Sequence, residues 1–117
     1  MSTRQSISSG SLSKEQVLGL LGHEHRQAII TYFDQEMTDS ASFDDLIEYI
    51  ISFDPKRGEL PAERRKQVTI GLLHNHLPRL ADAGVLEYDQ RSETVCYWGD
   101  SQLETILKAV PSDEYPI

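Results

Sequence analysis

The stretch Val68 to Trp98, VTIGLLHNHLPRLADAGVLEYDQRSETVCYW, constrains the fold more than any other part of the chain. It reads as a long amphipathic helix, a glycine stop and a short β-hairpin. The helix is expected from about Ala62 to Ala83, with Pro61 in its first turn, where a missing N–H costs nothing. Pro78 removes a bond to the carbonyl of His74 and is expected to bend it. Gly84 ends it. Val85–Tyr88 and Thr94–Trp98 are the expected strands, joined by the polar residues Asp89 to Glu93. Val95 and Tyr97 fall on one face of the hairpin, Cys96 and Trp98 on the other.

The residues upstream must form the helices that hold this unit. Ser13 followed by Gln16 has the form of a capping box opening a short helix, with Val17, Leu18, Leu20 and Leu21 as its apolar stripe and Gly22 as its stop. A second helix begins near His23 and carries Ala28, Ile29, Ile30, Tyr32 and Phe33. Asp39, Ser40 and Ser42 break the pattern and supply the next N-cap. Phe43, Leu46, Ile47, Ile50 and Ile51 then give the clearest helical period in the chain. Phe53 to Pro61 reads as a loop. After the hairpin, Asp100 or Ser101 caps a last helix with Leu103, Ile106, Leu107 and Val110, ended by Pro111.

A chain of 117 residues suits one core. The expected division is a disordered Ser-rich arm over 1–11, a domain over 12–99, a C-terminal helix over 100–111 and a loose tail over 112–117. The single cysteine, Cys96, allows no internal disulfide. No apolar run approaches the roughly 18 residues of a membrane span, and the amino end lacks the apolar core of a secretory signal. The expected compartment is the cytoplasm, with no membrane partner.

Net charge is −8, from 19 acidic against 11 basic residues, which repels nucleic acid on average. The distribution is uneven. Lys56, Arg57, Arg64, Arg65, Lys66 and Arg79 face only Glu59 and Glu63, a local +4 within a chain that is otherwise −12. At about 100° per residue, Ile70, Leu73, Leu77 and Leu80 fall on the core side of the long helix. The opposite side holds Arg64, Gln67, Gly71, Asn75 and Pro78, with Val68 and Arg79 on one flank and His74 on the other. Arg suits guanine, and Asn or Gln suits adenine. Gly71 either admits a groove wall or relieves crowding against another helix, and the wheel leaves both open. Arg91 lies at the expected hairpin tip, where it meets the minor groove or backbone.

Other motifs carry little. His23-Glu24-His25 and His74-Asn75-His76 place their histidines two apart, which on a helix points them about 200° from each other. No metal site is expected from them, and His76 is expected to be a hydrogen-bonded packing residue. No phosphate loop, nucleophile elbow or paired carboxylates appear, so neither an enzyme nor a cofactor is expected.

The segment LLHNHLPRLADAGVLEYD resembles the HL-x-x-L-x-x-A-G-V signature of archaeal and bacterial winged helix-turn-helix regulators. GHEHRQAIITYF, SFDDLIEYI and ERRKQVTIGLLHNHLPRL resemble the helices of a haloarchaeal winged-helix domain family of largely unknown function. The resemblance runs from about Leu12 to Trp98. It implies an α+β winged helix, mainly helical with a β-hairpin, usually dimeric and acting in transcription. The recognition positions it implies are Thr69, Gly71, His74 and Asn75. A halophilic source would explain the acidic balance and would leave salt cations bound at the DNA interface.

The expected function is therefore a homodimeric, sequence-specific regulator that binds double-stranded DNA with Lys56, Arg57, Arg64, Arg65, Gln67, Val68, Thr69, Gly71, His74, Asn75, Arg79 and Arg91. The first and last helices are expected to pair across a two-fold axis through Leu18, Leu21, Leu103, Ile106, Leu107 and Val110. The alternative is a winged-helix protein-interaction module that does not bind DNA, suggested by the acidic balance and by Val68 and Leu72 near the exposed face.

Overall fold

Ser13 opens the first helix, α1 (Lys14–Leu20), with both halves of a capping box: its Oγ accepts from the Gln16 N–H at 3.1 Å, and Gln16 Oε1 accepts from the Ser13 N–H at 2.9 Å. The computed structural model describes residues 12–53 and 61–109. The expected arm and tail, Lys56, Arg57 and Val110 lie outside the described residues.

Side chains of the next helix, α2 (Glu24–Glu36), close the carboxyl end of α1. Arg26 donates from Nε to the Leu20 carbonyl at 2.7 Å and from Nη2 to the Gly19 carbonyl at 3.3 Å, while Gln27 Nε2 donates to the Leu21 carbonyl at 2.6 Å. The Leu20 and Leu21 carbonyls are of the kind that a helix end leaves without partners, while the Gly19 carbonyl also accepts from the Gly22 N–H at 3.3 Å. Arg26 and Gln27 are themselves buried, beside Ala28, Ile29, Ile30 and Phe33. Met37, in the left-handed region at φ 52°, ends α2.

Two segments follow at once, β1 (Ser40–Ser42) and α3 (Phe43–Phe53). Ser42 caps α3 as expected, its Oγ accepting from the Asp45 N–H at 3.0 Å. The strand was not expected, because Ser-Ala-Ser has no β-propensity of its own. It is recruited by the edge of the hairpin, with Ala41 opposite Val95. The stripe on α3 behaves as its period implies: Phe43, Leu46, Ile47 and Ile50 are buried.

α4 (Pro61–Gly71), a π-helical turn (Leu72–His76) and α5 (Leu77–Asp82) run on without a break. Within the turn the Leu77 N–H reaches the Leu72 carbonyl, five residues back. The widened turn stands directly ahead of Pro78, which has no N–H to give to His74, and such a turn re-satisfies the backbone where the α ladder is interrupted. Gly84, at φ 81°, stops the helix.

β2 (Leu86–Asp89) and β3 (Thr94–Tyr97) form the hairpin, and the antiparallel sheet has the order β1-β3-β2. Asp89 builds the turn by accepting from the Arg91 N–H at 3.2 Å and the Ser92 hydroxyl at 2.9 Å. Val95 faces the core and Cys96 the solvent. Tyr97 stacks on Phe33 with ring centroids 4.7 Å apart and donates its hydroxyl proton to Glu104 at 2.7 Å. Burial and the Glu104 carboxylate push its pKa upward. Gly99 stands at φ 82°, a left-handed backbone conformation that glycine adopts without strain.

α6 (Ser101–Ala109) is the expected last helix. Asp100 caps it through the Leu103 N–H at 2.9 Å and also accepts from the Leu12 N–H at 3.2 Å, tying α6 to the start of α1. The result is a mixed α+β fold in which helices enclose one core against a small antiparallel sheet. Among the described residues no helix is long and apolar enough to cross a membrane.

Candidate nucleic-acid interface and a histidine cluster

The long helix does not present the face that a uniform wheel gives it. Its buried residues include Arg64, Val68, Leu72, His76 and Leu80, a strict spacing of four, together with Leu77. On an unbroken α-helix each such step drifts by about 40°, so five residues four steps apart in all could not share one side. The π-turn, with its five-residue bond, takes back that drift and re-phases the half ahead of it. The expected core face therefore holds only beyond the turn, at Leu77 and Leu80. Leu73 is half-buried, and Ile70 is 50% exposed. Two residues expected in a DNA groove need correction. Arg64 is 7% exposed and Val68 1% exposed, so both belong to the interior.

The remaining expected residues divide by environment. Arg65 bridges two carboxylates one turn apart on α3, Asp44 at 2.9 Å and Glu48, which occupies its positive charge. Gln67, His74, Asn75, Arg79 and Arg91 are exposed. Arg79 donates from Nε to Asn75 Oδ1 at 2.7 Å. Thr69 is half-buried, its hydroxyl donating to the Arg65 carbonyl at 2.7 Å. Gly71 is half-buried and faces the His76 ring, which an added Cβ would meet at 3.6 Å. The face open to solvent runs Glu63, Lys66, Gln67, Ile70, His74. Lys66 and Ile70 stand on this face and were not among the expected residues, Ile70 because the wheel put it in the core. Their spacing of three and four with Gln67 and His74 was the available signal.

The apolar residues expected to pair two chains are partly used within one. α1 packs against α6 of the same chain, and Leu21 and Leu103 are buried in its core. Ile106 and Leu107 are partly buried against the core, and Leu18 is 50% exposed.

Three histidines expected to be unrelated come together. Ring nitrogens of His23, His25 and His76 lie within 4.8 Å of one another. The ring centroids are 4.4 Å apart for His23 and His76, 4.8 Å for His23 and His25, and 5.6 Å for His25 and His76. The 200° rule fails for His23 and His25 because it needs both inside a helix. His23 is the N-cap, extended at φ −129° and ψ 131°, with Nδ1 accepting from the His25 N–H at 3.0 Å. His76 is buried as expected, and its Nδ1 meets Arg26 Nη1 at 3.1 Å. Burial first, then the positive charge of His23, Arg26, His25 and Arg79, lowers its pKa from 6.5 to about 3. His76 is neutral at ordinary pH.

A family model described as "Domain of unknown function (DUF7344)" matches residues 18–96. The chain belongs to this family. The match runs from within α1 to β3, so the DUF7344 unit contains α4, the π-turn and all three clustered histidines, and α6 lies beyond it. No curated protein and no solved structure matches the chain significantly.

Proposed function

We infer that this DUF7344 chain is a winged helix-turn-helix regulator of transcription that binds double-stranded DNA sequence-specifically as a homodimer. The observation that carries the reading is the outer face of α4 and the π-turn, where Lys66, Gln67, Ile70 and His74 stand exposed on the helical run that leads into the hairpin of a β1-β3-β2 sheet. A helix, a strand, two further helices and a hairpin succeed one another in the order of a winged helix. The fourth helix would enter the major groove. Lys66 and Gln67 supply the cation and the amide suited to phosphate and adenine, and Ile70 an apolar contact for a thymine methyl. Arg91 and Ser92 at the hairpin turn would reach the backbone or minor groove. With Arg64 buried and Arg65 paired, Lys66, Arg79 and Arg91 supply the exposed positive charge of the proposed DNA surface among the described residues. The dimer would use the surface around Leu18 on α1, and the cytoplasm is the proposed compartment. The −8 charge fits binding in concentrated salt, where counterion release contributes little and bound cations bridge acidic groups to phosphate.

Mobility shifts with genomic fragments, run at low and at molar potassium chloride, test this reading. A discrete shift that Lys66→Ala with Gln67→Ala abolishes is expected; the absence of any shift at either salt sinks it. The second reading, a protein-interaction module on the same fold, is favoured by one observation: Ile70 borders a shallow groove formed with Ala62, Arg65, Lys66 and Thr69. Retention of a partner protein that Ile70→Glu releases, without any DNA shift, would select it.

A further inference from the structure

We propose that His23, His25 and His76, backed by Arg26 and Arg79, form a binding site for an oxyanion of the phosphate class, at the junction of α1, α2 and the π-turn. Three neighbouring imidazoles suggest a transition metal first, and the hydrogen bonds decide against it. A histidine that ligates a metal donates its other ring N–H to an acceptor. Here the second nitrogen does the reverse. Arg26 is always a donor, so His76 Nδ1 accepts; the backbone N–H of His25 likewise makes His23 Nδ1 an acceptor. In neutral rings both protons then sit on Nε2, and those atoms present N–H groups rather than lone pairs.

Spacing agrees. Tetrahedral zinc ligands at 2.0–2.1 Å stand about 3.4 Å from each other. Two donors sharing one oxygen at about 2.8 Å stand up to about 4.8 Å apart. The ring nitrogens here lie within 4.8 Å of one another, close enough for them to share one anion oxygen. Charge agrees as well: the Arg26 and Arg79 guanidiniums both act on His76 and would oppose a second cation at this point. Glu24, between the two histidines, is the carboxylate the site must tolerate. Gly71 completes the geometry. With no side chain it adds no atoms against the Nε2 edge of the buried His76, which an added Cβ would meet at 3.6 Å. The inference does not rest on DNA binding, because none of the three clustered histidines belongs to the proposed DNA face, with which Arg79 alone is shared.

Titration calorimetry of the full chain with inorganic phosphate, at constant ionic strength against chloride, should show one site per chain. Histidine ring NMR should shift for His23, His25 and His76. His23→Ala with His25→Ala should weaken binding at least about tenfold. Gly71→Ala, which folds without a clash, should weaken it several-fold. Phosphate left unbound, or bound equally by the double variant, overturns the proposal, as does stoichiometric zinc binding through all three imidazoles. Duplex DNA added to the phosphate complex separates the sources of the oxyanion: displacement of phosphate points to a nucleic-acid backbone, and independent binding to a free phosphate compound. Both outcomes support the site.

Discussion

Arg26 and Arg65 each hold several acceptors, and burial makes their contributions unequal. Arg26 is 8% exposed and joins two carbonyls of α1 to His76. Arg26→Ala strands the Leu20 carbonyl and His76 Nδ1 in the interior and should cost about 2–4 kcal/mol in urea unfolding. Arg65→Ala breaks an ion pair whose side chains are 38% exposed or more, and water screens it, so its cost should stay below about 1 kcal/mol. His76 adds a pH dependence. Its folded pKa, about 3, lies below the ordinary 6.5, so below pH 6.5 the unfolded chain binds a proton that the folded chain refuses. Stability should fall as pH drops from 6.5 towards 3, by at most about 1.4 kcal/mol per unit from this group. His76→Gln keeps an acceptor for Arg26 and removes the titration, so its unfolding energy should decline less steeply over that window; parallel slopes would contradict the assignment. At this scale the sequence showed His76 as a packing residue. It could not show that His23 and Arg26 would meet it, since those contacts join positions 50 or more residues apart across the fold.

Among the elements, legibility followed regularity. The stripe of α3 and the capping box of α1 repeat local rules that need no tertiary knowledge, and both were readable. β1 was not, because Ser40–Ser42 becomes a strand only through its register with β3. The long helix was read correctly in extent and wrongly in phase. Pro78 announced a disturbance, but whether it kinks the helix or widens a turn depends on packing. The re-phased helix makes a contrast that stability can check. Leu72→Ala should cost about 2–5 kcal/mol, while Ile70→Ala, half exposed, should stay within about 0.5 kcal/mol. A uniform α wheel would have Ile70 cost more. Gly71→Ala should stabilise the chain by up to about 1 kcal/mol, since helix propensity improves and the added methyl meets only ordinary contact. A lower melting temperature for this variant would show that the turn needs glycine.

For the molecule as a whole, charge is divided more finely than the sequence suggested. The +4 stretch from Lys56 to Arg79 looked like one basic surface, yet Arg64 is interior and Arg65 is matched by α3 carboxylates. What remains outward on α4 is a narrow face in which Lys66 is the cation. The acidic remainder of the chain then acts against non-specific binding, leaving discrimination to a few contacts. The central claim is that this face meets DNA, and the salt dependence of binding tests it most directly. Fluorescence anisotropy with a selected duplex, from low to molar potassium chloride, should give a saturable isotherm. Lys66→Ala should weaken it and reduce the slope of log affinity against log salt by about one phosphate contact. A wild-type chain that binds no duplex across that range, or a Lys66→Ala variant with unchanged affinity and slope, would contradict the claim.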